Sequence, residues 1–321
     1  MDEFSRRVSE GRIVEAITEA KVEDIPVMTD IGAALAEKND QESRSRAVLI
    51  YKKIAQMRPD YAPAHNNLAL LLQKDGKYDD AEKEYRIAAN LDPNNADIHF
   101  NLAALLQEQI RYYDAEEEYK KALNLDPGHA DAHYNLATLM HEQIRYEDAE
   151  AEYKRTLELN PDSADAYYNL GLLLQKLRRF EEAEDLYRKA LNADAGMSAA
   201  HNNLGLLLQN KRRFGEAEKE YRSALKLDPS MADYHYNLGT LLHAQDRYQD
   251  AEKEYRTAIG LHPSHIEAHT NMGVVLQQQK KYGEAEEEYR KAISIYPEDK
   301  EAQEDLRILL AEKEKEKQRT G

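Results

Sequence analysis

HNNLALLLQ runs from His65 to Gln73, and HNNLGLLLQ runs from His201 to Gln209. Eight of nine letters agree, and the two starts lie 136 residues apart, four times 34. A period in that range is the signature of a repeat array, in which one supersecondary unit recurs. Extending the register outward divides residues 62–299 into seven units of 34 without insertion or deletion: 62–95, 96–129, 130–163, 164–197, 198–231, 232–265 and 266–299. Positions within a unit are numbered 1 to 34 below.

The invariant positions describe a helical hairpin. Positions 4, 7, 8 and 11 follow the i, i+3, i+4, i+7 pattern of one helical face, which predicts a first helix, A. Position 7 runs from Leu68 to Met272. Position 8 is small throughout, Ala69, Ala103 and Ala137, then Gly171, Gly205, Gly239 and Gly273. Positions 20, 24, 27 and 28 form a second stripe on helix B, with Ala at 20 and Tyr at 24 in all seven units. Small residues at 8 and 20 are expected to let the backbones approach. Lys or Arg at 16 and Asp or Glu at 19 complement the dipoles where A ends and B begins. Pro at 32, replaced once by Ala195, stops helix B. One such hairpin cannot bury its own apolar face, so neighbours must stack.

This pattern of Leu, Gly/Ala, Ala, Tyr, Ala and Pro at fixed offsets resembles the tetratricopeptide repeat over about three quarters of the chain. Departures are His or Tyr for the usual Trp at position 4, and Leu or Met for Tyr at position 11. The resemblance implies an all-α, right-handed superhelical solenoid whose A helices line a concave groove. Residues 28–61 keep Ala47, Tyr51 and Pro59 in register and read as a divergent repeat acting as a cap. Residues 1–27 read as short helices packed on it, and residues 300–321 as a capping helix with a frayed polar end.

Composition narrows function. The chain has 321 residues, a formal net charge of −17 and no Cys. Disulfides, thiolate zinc sites and thiol nucleophiles are excluded. The acidic balance disfavours nucleic acid and favours neutral or basic partners. No apolar run reaches the roughly 20 residues of a membrane helix, and the first residues lack a signal-peptide pattern. A cytoplasmic protein without membrane association is expected.

The groove candidates are polar residues that recur on the A helix away from the packing stripe. Position 6 is Asn67, Asn101, Asn135, Asn169, Asn203, Asn237 and Asn271. An amide donates and accepts at once, which suits the backbone of an extended peptide. A similar Asn ladder lines the peptide-binding array of O-linked N-acetylglucosamine transferase; this chain has no room for that enzyme's catalytic region. The alternative is inheritance by duplication or local hydrogen bonding. Position 12, including Gln107, His141, Gln175, Gln209 and His243, either extends the polar track or is a solvated surface. Position 2, including Asp131 and Asp165, either selects basic ligands or only serves the helix dipole. Its acidity argues against a Lys/Arg clamp for acidic tails. Position-5 aromatics (Phe100, Tyr134, Tyr168, Tyr236) either wedge between A helices or grip ligand side chains. Glu at 21 and Arg or Lys at 25 form i, i+4 pairs on outer faces. His129/His133 and His262/His265/His269 raise metal binding as an alternative. No cofactor motif or unique catalytic constellation is present, so the expectation is a non-catalytic scaffold that binds an extended neutral or basic segment. A self-associating scaffold is the alternative, and an enzyme or metal-binding protein is the alternative from another class.

Overall fold

The computed structural model describes residues 3–38 and 40–320, the side chains of residues 317, 319 and 320 excepted. Every regular element in these residues is helical. The chain divides into two compact units, Met1–Pro161 and Asp162–Gly321.

The first unit opens with α1 (Glu3–Ser9), α2 (Ile13–Glu19), a 3-10 turn (Val22–Asp24), α3 (Ile25–Ala36) and α4 (Gln41–Met57). Three A/B pairs follow: α5 (Ala62–Lys74) with α6 (Tyr78–Leu91), α7 (Ala96–Glu108) with α8 (Tyr112–Leu125), and α9 (Ala130–Glu142) with α10 (Tyr146–Leu159). The second unit holds four more: α11 (Ala164–Lys176) with α12 (Phe180–Ala193), α13 (Ser198–Asn210) with α14 (Phe214–Leu227), α15 (Ala232–His243) with α16 (Tyr248–Leu261), and α17 (Ile266–Gln278) with α18 (Tyr282–Ile295). It closes with α19 (Lys300–Thr320). Inside each unit every A helix packs on its own B helix, every B helix on the next A helix, and successive A helices touch.

Local chemistry sets the boundaries. Position 34 caps helix A through side-chain acceptors at Asn95, His129, Ser163 and His265. Helix A ends in a residue of positive φ at position 15, as at Gly76 (φ 72°), where the Lys77 N–H returns to the Leu72 carbonyl at 2.9 Å. The core is a column of fully buried Tyr and Ala at positions 24 and 20, roofed by Leu at 7, 10 and 11.

The small residue at position 8 has a more specific reason than backbone approach. A Cβ built on Gly171, Gly205, Gly239 or Gly273 would lie 2.6–2.8 Å from the ring of Tyr187, Tyr221, Tyr255 or Tyr289. The tyrosine ring fills that space. In the N-terminal pair, Gly32 plays the same part beneath buried Tyr51, where an added Cβ would lie 3.0 Å from the ring. Its helix A therefore sits three residues earlier than the 34-residue frame places it.

At the other end α19 packs on α17 and α18 as a further helix A does. Ala302 and Leu309 are buried, Gln303 donates to the Pro297 carbonyl at 2.6 Å, and Lys313 pairs with Glu286 at 2.8 Å. The helix continues through the polar EKEKEKQR stretch to Thr320. Among the described residues no helix is long and apolar enough to cross a membrane.

Candidate functional site

The Asn column occupies one face of the A helices, with Asn67, Asn101 and Asn135 in the first unit and Asn169, Asn203, Asn237 and Asn271 in the second. All seven are half-buried rather than exposed. The helical wheel places position 6 off the hairpin's own core, but the neighbouring A helix covers part of it. The amides bridge repeats: Asn101 donates to Asn66 Oδ1 (3.1 Å), Asn203 to Tyr168 Oη (3.1 Å), Asn237 to Asn202 Oδ1 (2.9 Å) and Asn271 to Tyr236 Oη (3.0 Å). Each bond joins position 6 to position 5 of the preceding repeat. The first Asn of the opening motif, at 66 and 202, is thus an acceptor for the next repeat. No hydrogen bond among the described residues uses Oδ1 of Asn101, Asn237 or Asn271, so each retains an acceptor.

Position-5 aromatics serve packing. Phe100, Tyr134, Tyr168 and Tyr236 are half-buried against Tyr119, Tyr153, Tyr187 and Tyr255, with ring centroids 5.9–6.1 Å apart.

Position 12 has a structural duty that its polarity does not reveal. Gln73, Gln107, Gln175, Gln209 and Gln277 accept the hydroxyl of the buried tyrosine at position 24, at 2.7–3.2 Å. Where position 12 is His141 or His243, position 9 is Thr138 or Thr240, and the Tyr255 hydroxyl turns to Thr240 Oγ1 at 3.4 Å. His141 and His243 pack edge-on against Tyr146 and Tyr248.

The position-4 histidines form a clamp that the periodicity did not foretell. His65, His99, His133, His201, His235 and His269 each place Nδ1 2.5–2.6 Å from the Glu at position 23 of helix B. Five of them place Nε2 3.0–3.3 Å from the carbonyl of the preceding repeat's Pro. In these five both ring nitrogens thus face acceptors; at His99, His235 and His269 this favours the doubly protonated ring. The hydrogen bond to Glu118, Glu254 or Glu288 raises the pKa of His99, His235 and His269, against the opposing effect of burial. The signal was present within the sequence: repeat 4 lacks the His and also lacks the Glu, carrying Tyr167 and Leu186. His129 and His265 instead cap helices α9 and α17. Among the described residues no group of three His, Asp or Glu side chains is placed to hold a metal ion.

Charge is distributed in two ways. All seven Glu–Arg/Lys pairs between positions 21 and 25 form, at 2.7–2.9 Å. These glutamates are not on a solvated face, since only 10–22% of each side chain is exposed. Glu82, Glu116, Glu184, Glu218 and Glu252 also receive the position-16 cation of the next repeat at 2.7 Å. Burial alone would raise Glu184, but Lys211, Arg188 and Arg213 hold it at about 2. Position 2 differs: Asp97, Asp131, Asp165, Asp233 and Glu267 are exposed. Asp131 and Asp165 make no ion pair among the described residues, so these carboxylates remain available.

Profiles described as tetratricopeptide repeat match residues 50–83, 106–170, 142–200, 202–266 and 266–299, and one described as TPR repeat matches residues 74–109. No curated protein matches the chain. Among solved structures, YrrB, described as a TPR protein with an unusual peptide-binding site, is 26% identical with a TM-score of 0.51, over 57% of this chain and 95% of that one. PilF of Pseudomonas aeruginosa is 24% identical with a TM-score of 0.58, over 64% of this chain and 94% of that one. A tetratricopeptide repeat protein from Parabacteroides merdae is 19% identical with a TM-score of 0.55, over 78% and 98%. The last two likenesses bear on the fold alone. The repeats, their packing and these matches together show that the chain belongs to the tetratricopeptide repeat family, whose repeats build protein–protein interaction scaffolds.

Proposed function

We propose that the protein is a non-catalytic scaffold that holds an extended, neutral or basic segment of a partner protein along the A-helix face of its repeats. The observation that carries this reading is the Asn column: half-buried amides whose orientation is fixed by the neighbouring repeat and whose Oδ1, at 101, 237 and 271, has no partner among the described residues. A backbone N–H of an extended segment is the natural donor to such an acceptor. Exposed carboxylates at position 2 lie on the same helices and favour basic residues in that segment. The likeness to YrrB, a TPR protein described by its peptide-binding site, supports the same use of the fold. Residues that recur every 34 positions also supply many similar contacts rather than one unique constellation, which suits a binding track better than catalysis.

The test begins with capture of partners on the full-length chain, then calorimetry with the bound segment. Asp131→Asn/Asp165→Asn should weaken a basic segment several-fold at low salt and much less at high salt. Both side chains are exposed, so folding should be unchanged. Identical binding by this variant at low salt would remove position 2 from the site. A segment that competes with nothing on the A-helix face would refute the reading itself.

A further inference from the structure

The turn between helices A and B carries a second surface. Position 15 is left-handed in every repeat, with φ of 72° at Gly76, 60° at Arg178, 57° at Arg212, 58° at Asp246 and 61° at Lys280. Repeats 2 and 3 place isoleucine there, Ile110 at φ 62° and Ile144 at φ 64°. A β-branched residue is the least suited to this conformation, because Cβ crowds the backbone. Burial does not compensate, for Ile110 is 72% and Ile144 is 68% exposed, and nearby Tyr113 is 81% exposed. The fold needs nothing apolar here, since the other repeats manage the same turn with Gly, Arg, Asp or Lys. Strain at an exposed apolar residue points to a use outside the chain.

Charge identifies the partner surface. Beside the isoleucines, Arg111 is engaged by Glu82 and Asp114, and Arg145 by Glu116 and Asp148. Glu108, Glu142 and Glu147 are exposed and have no cationic partner among the described residues. The edge is therefore apolar with an acidic margin. It cannot pair with itself without bringing like charges together. The equivalent edge of repeats 4 and 5 is the more cationic, with its exposed acid Glu181 set 3.6 Å from Lys211. Arg178 and Arg212 occupy position 15, both are exposed, and neither has an ion-pair partner among the described residues. Phe180, beside Arg178, is 38% exposed.

We propose that the Ile110–Tyr113–Ile144 edge of one copy docks on the Arg178–Arg212 edge of a second copy, so that the scaffold self-associates through its turns and leaves the A-helix face free. The net charge of −17 opposes association. At physiological salt, however, charges beyond about 8–10 Å are screened, and the local complement decides. Two unlike patches on one chain permit both a closed pair and an open string.

Sedimentation velocity on the full chain tests this in about 0.15 M salt. The wild type should associate in the micromolar range, and raising salt to about 0.5 M should weaken it. Ile110→Gly/Ile144→Gly should weaken association about tenfold or more. Gly suits the turn, so melting should not fall, and this separates lost docking from lost fold. Arg178→Glu/Arg212→Glu should do the same. Mixed one to one, the two variants should form a heterodimer, because each keeps the edge the other has lost. A wild type that stays monomeric at about 100 µM overturns the proposal. So does association that survives either variant, or a mixture that shows no heterodimer.

Discussion

Replacing the clamp of repeat 7 with the pair that repeat 4 carries should reveal strong coupling between two positions 19 residues apart. His269 is 3% exposed, with Nδ1 2.6 Å from Glu288 and Nε2 3.0 Å from the Pro263 carbonyl. Glu288 is 8% exposed and is also held by Lys291 at 3.0 Å. In His269→Tyr, Glu288 loses a charge-assisted bond while buried. Breaking a buried pair costs about 3–5 kcal/mol, but Lys291 remains, so about 2–3 kcal/mol is expected. In Glu288→Leu the imidazole keeps the Pro263 carbonyl and can be neutral, so about 1–2 kcal/mol is expected. The double variant removes both polar groups and installs what the chain uses at Tyr167 and Leu186. It should cost less than about 1 kcal/mol, giving a coupling of about 2–4 kcal/mol between the sites. Urea unfolding near pH 6 supplies the totals. Hydrogen exchange on α17 and α18 supplies the local value, which matters because an array need not unfold in one step. Single and double effects that add within about 0.5 kcal/mol would refute the clamp as a coupled unit.

Other outcomes follow from the same contacts. His99, His235 and His269 have raised pKa values, so their stabilisation is complete below about pH 6.5 and is lost as pH rises through the folded values; melting temperature should fall on the alkaline side, and a flat profile from about pH 6 to 9 would contradict this. Ala195→Pro should stabilise by about 0.4–1 kcal/mol: Asp194 (φ −139°, ψ 101°) already has the backbone of Asp92, Asp126 and Asp228 before their prolines. A lower melting temperature would show that the second unit needs the freedom of Ala195. Removing residues 300–321 should strip the cover from α17 and α18, lowering melting and raising light scattering; unchanged melting would make α19 a free appendage.

Much of this architecture is legible because helical periodicity reports burial within one hairpin. Leu at 7, Ala at 20 and Tyr at 24 pack against their own partner helix, and the 34-residue period finds them. Contacts between stacked repeats are a different matter. The bond from Asn101 to Asn66 spans 35 residues and that from Arg111 to Glu82 spans 29, and neither separation lies on a helical wheel. The wheel therefore places position 6 in solvent and position 21 on an outer face, while the neighbouring repeat half-buries one and recruits the other. The clamp is hidden for another reason. A histidine at position 4 reads as a bulky core ring, and only comparison of columns shows that His and Glu disappear together in repeat 4. The same comparison ties His141 to Thr138 and His243 to Thr240, and explains why glutamine otherwise stands beneath each tyrosine hydroxyl. Whether the A-helix face binds a ligand is not written in any period, because stitching and ligand binding call for the same amide.

The two uses of that amide can nevertheless be pulled apart, since they employ different atoms. Asn237 gives Nδ2 to Asn202, and no hydrogen bond among the described residues uses its Oδ1, the atom the proposed ligand N–H would meet. Asn237→Asp preserves shape and acceptor but removes the donor and sets two oxygens against each other. It should cost about 1–2 kcal/mol of stability, read by hydrogen exchange on α15, while an extended segment still finds its acceptor. Asn237→Ala removes both atoms. It recovers several tenths of a kcal/mol in helix propensity, so its stability loss should be smaller than that of the Asp variant. Its binding loss should be larger, because a ligand N–H left without an acceptor costs about 1–3 kcal/mol. The order of the two variants is thus expected to invert between the two measurements. If both rank the same way in melting and in affinity for the captured segment, the ligand does not use Oδ1. The column would then serve only to fasten one repeat to the next.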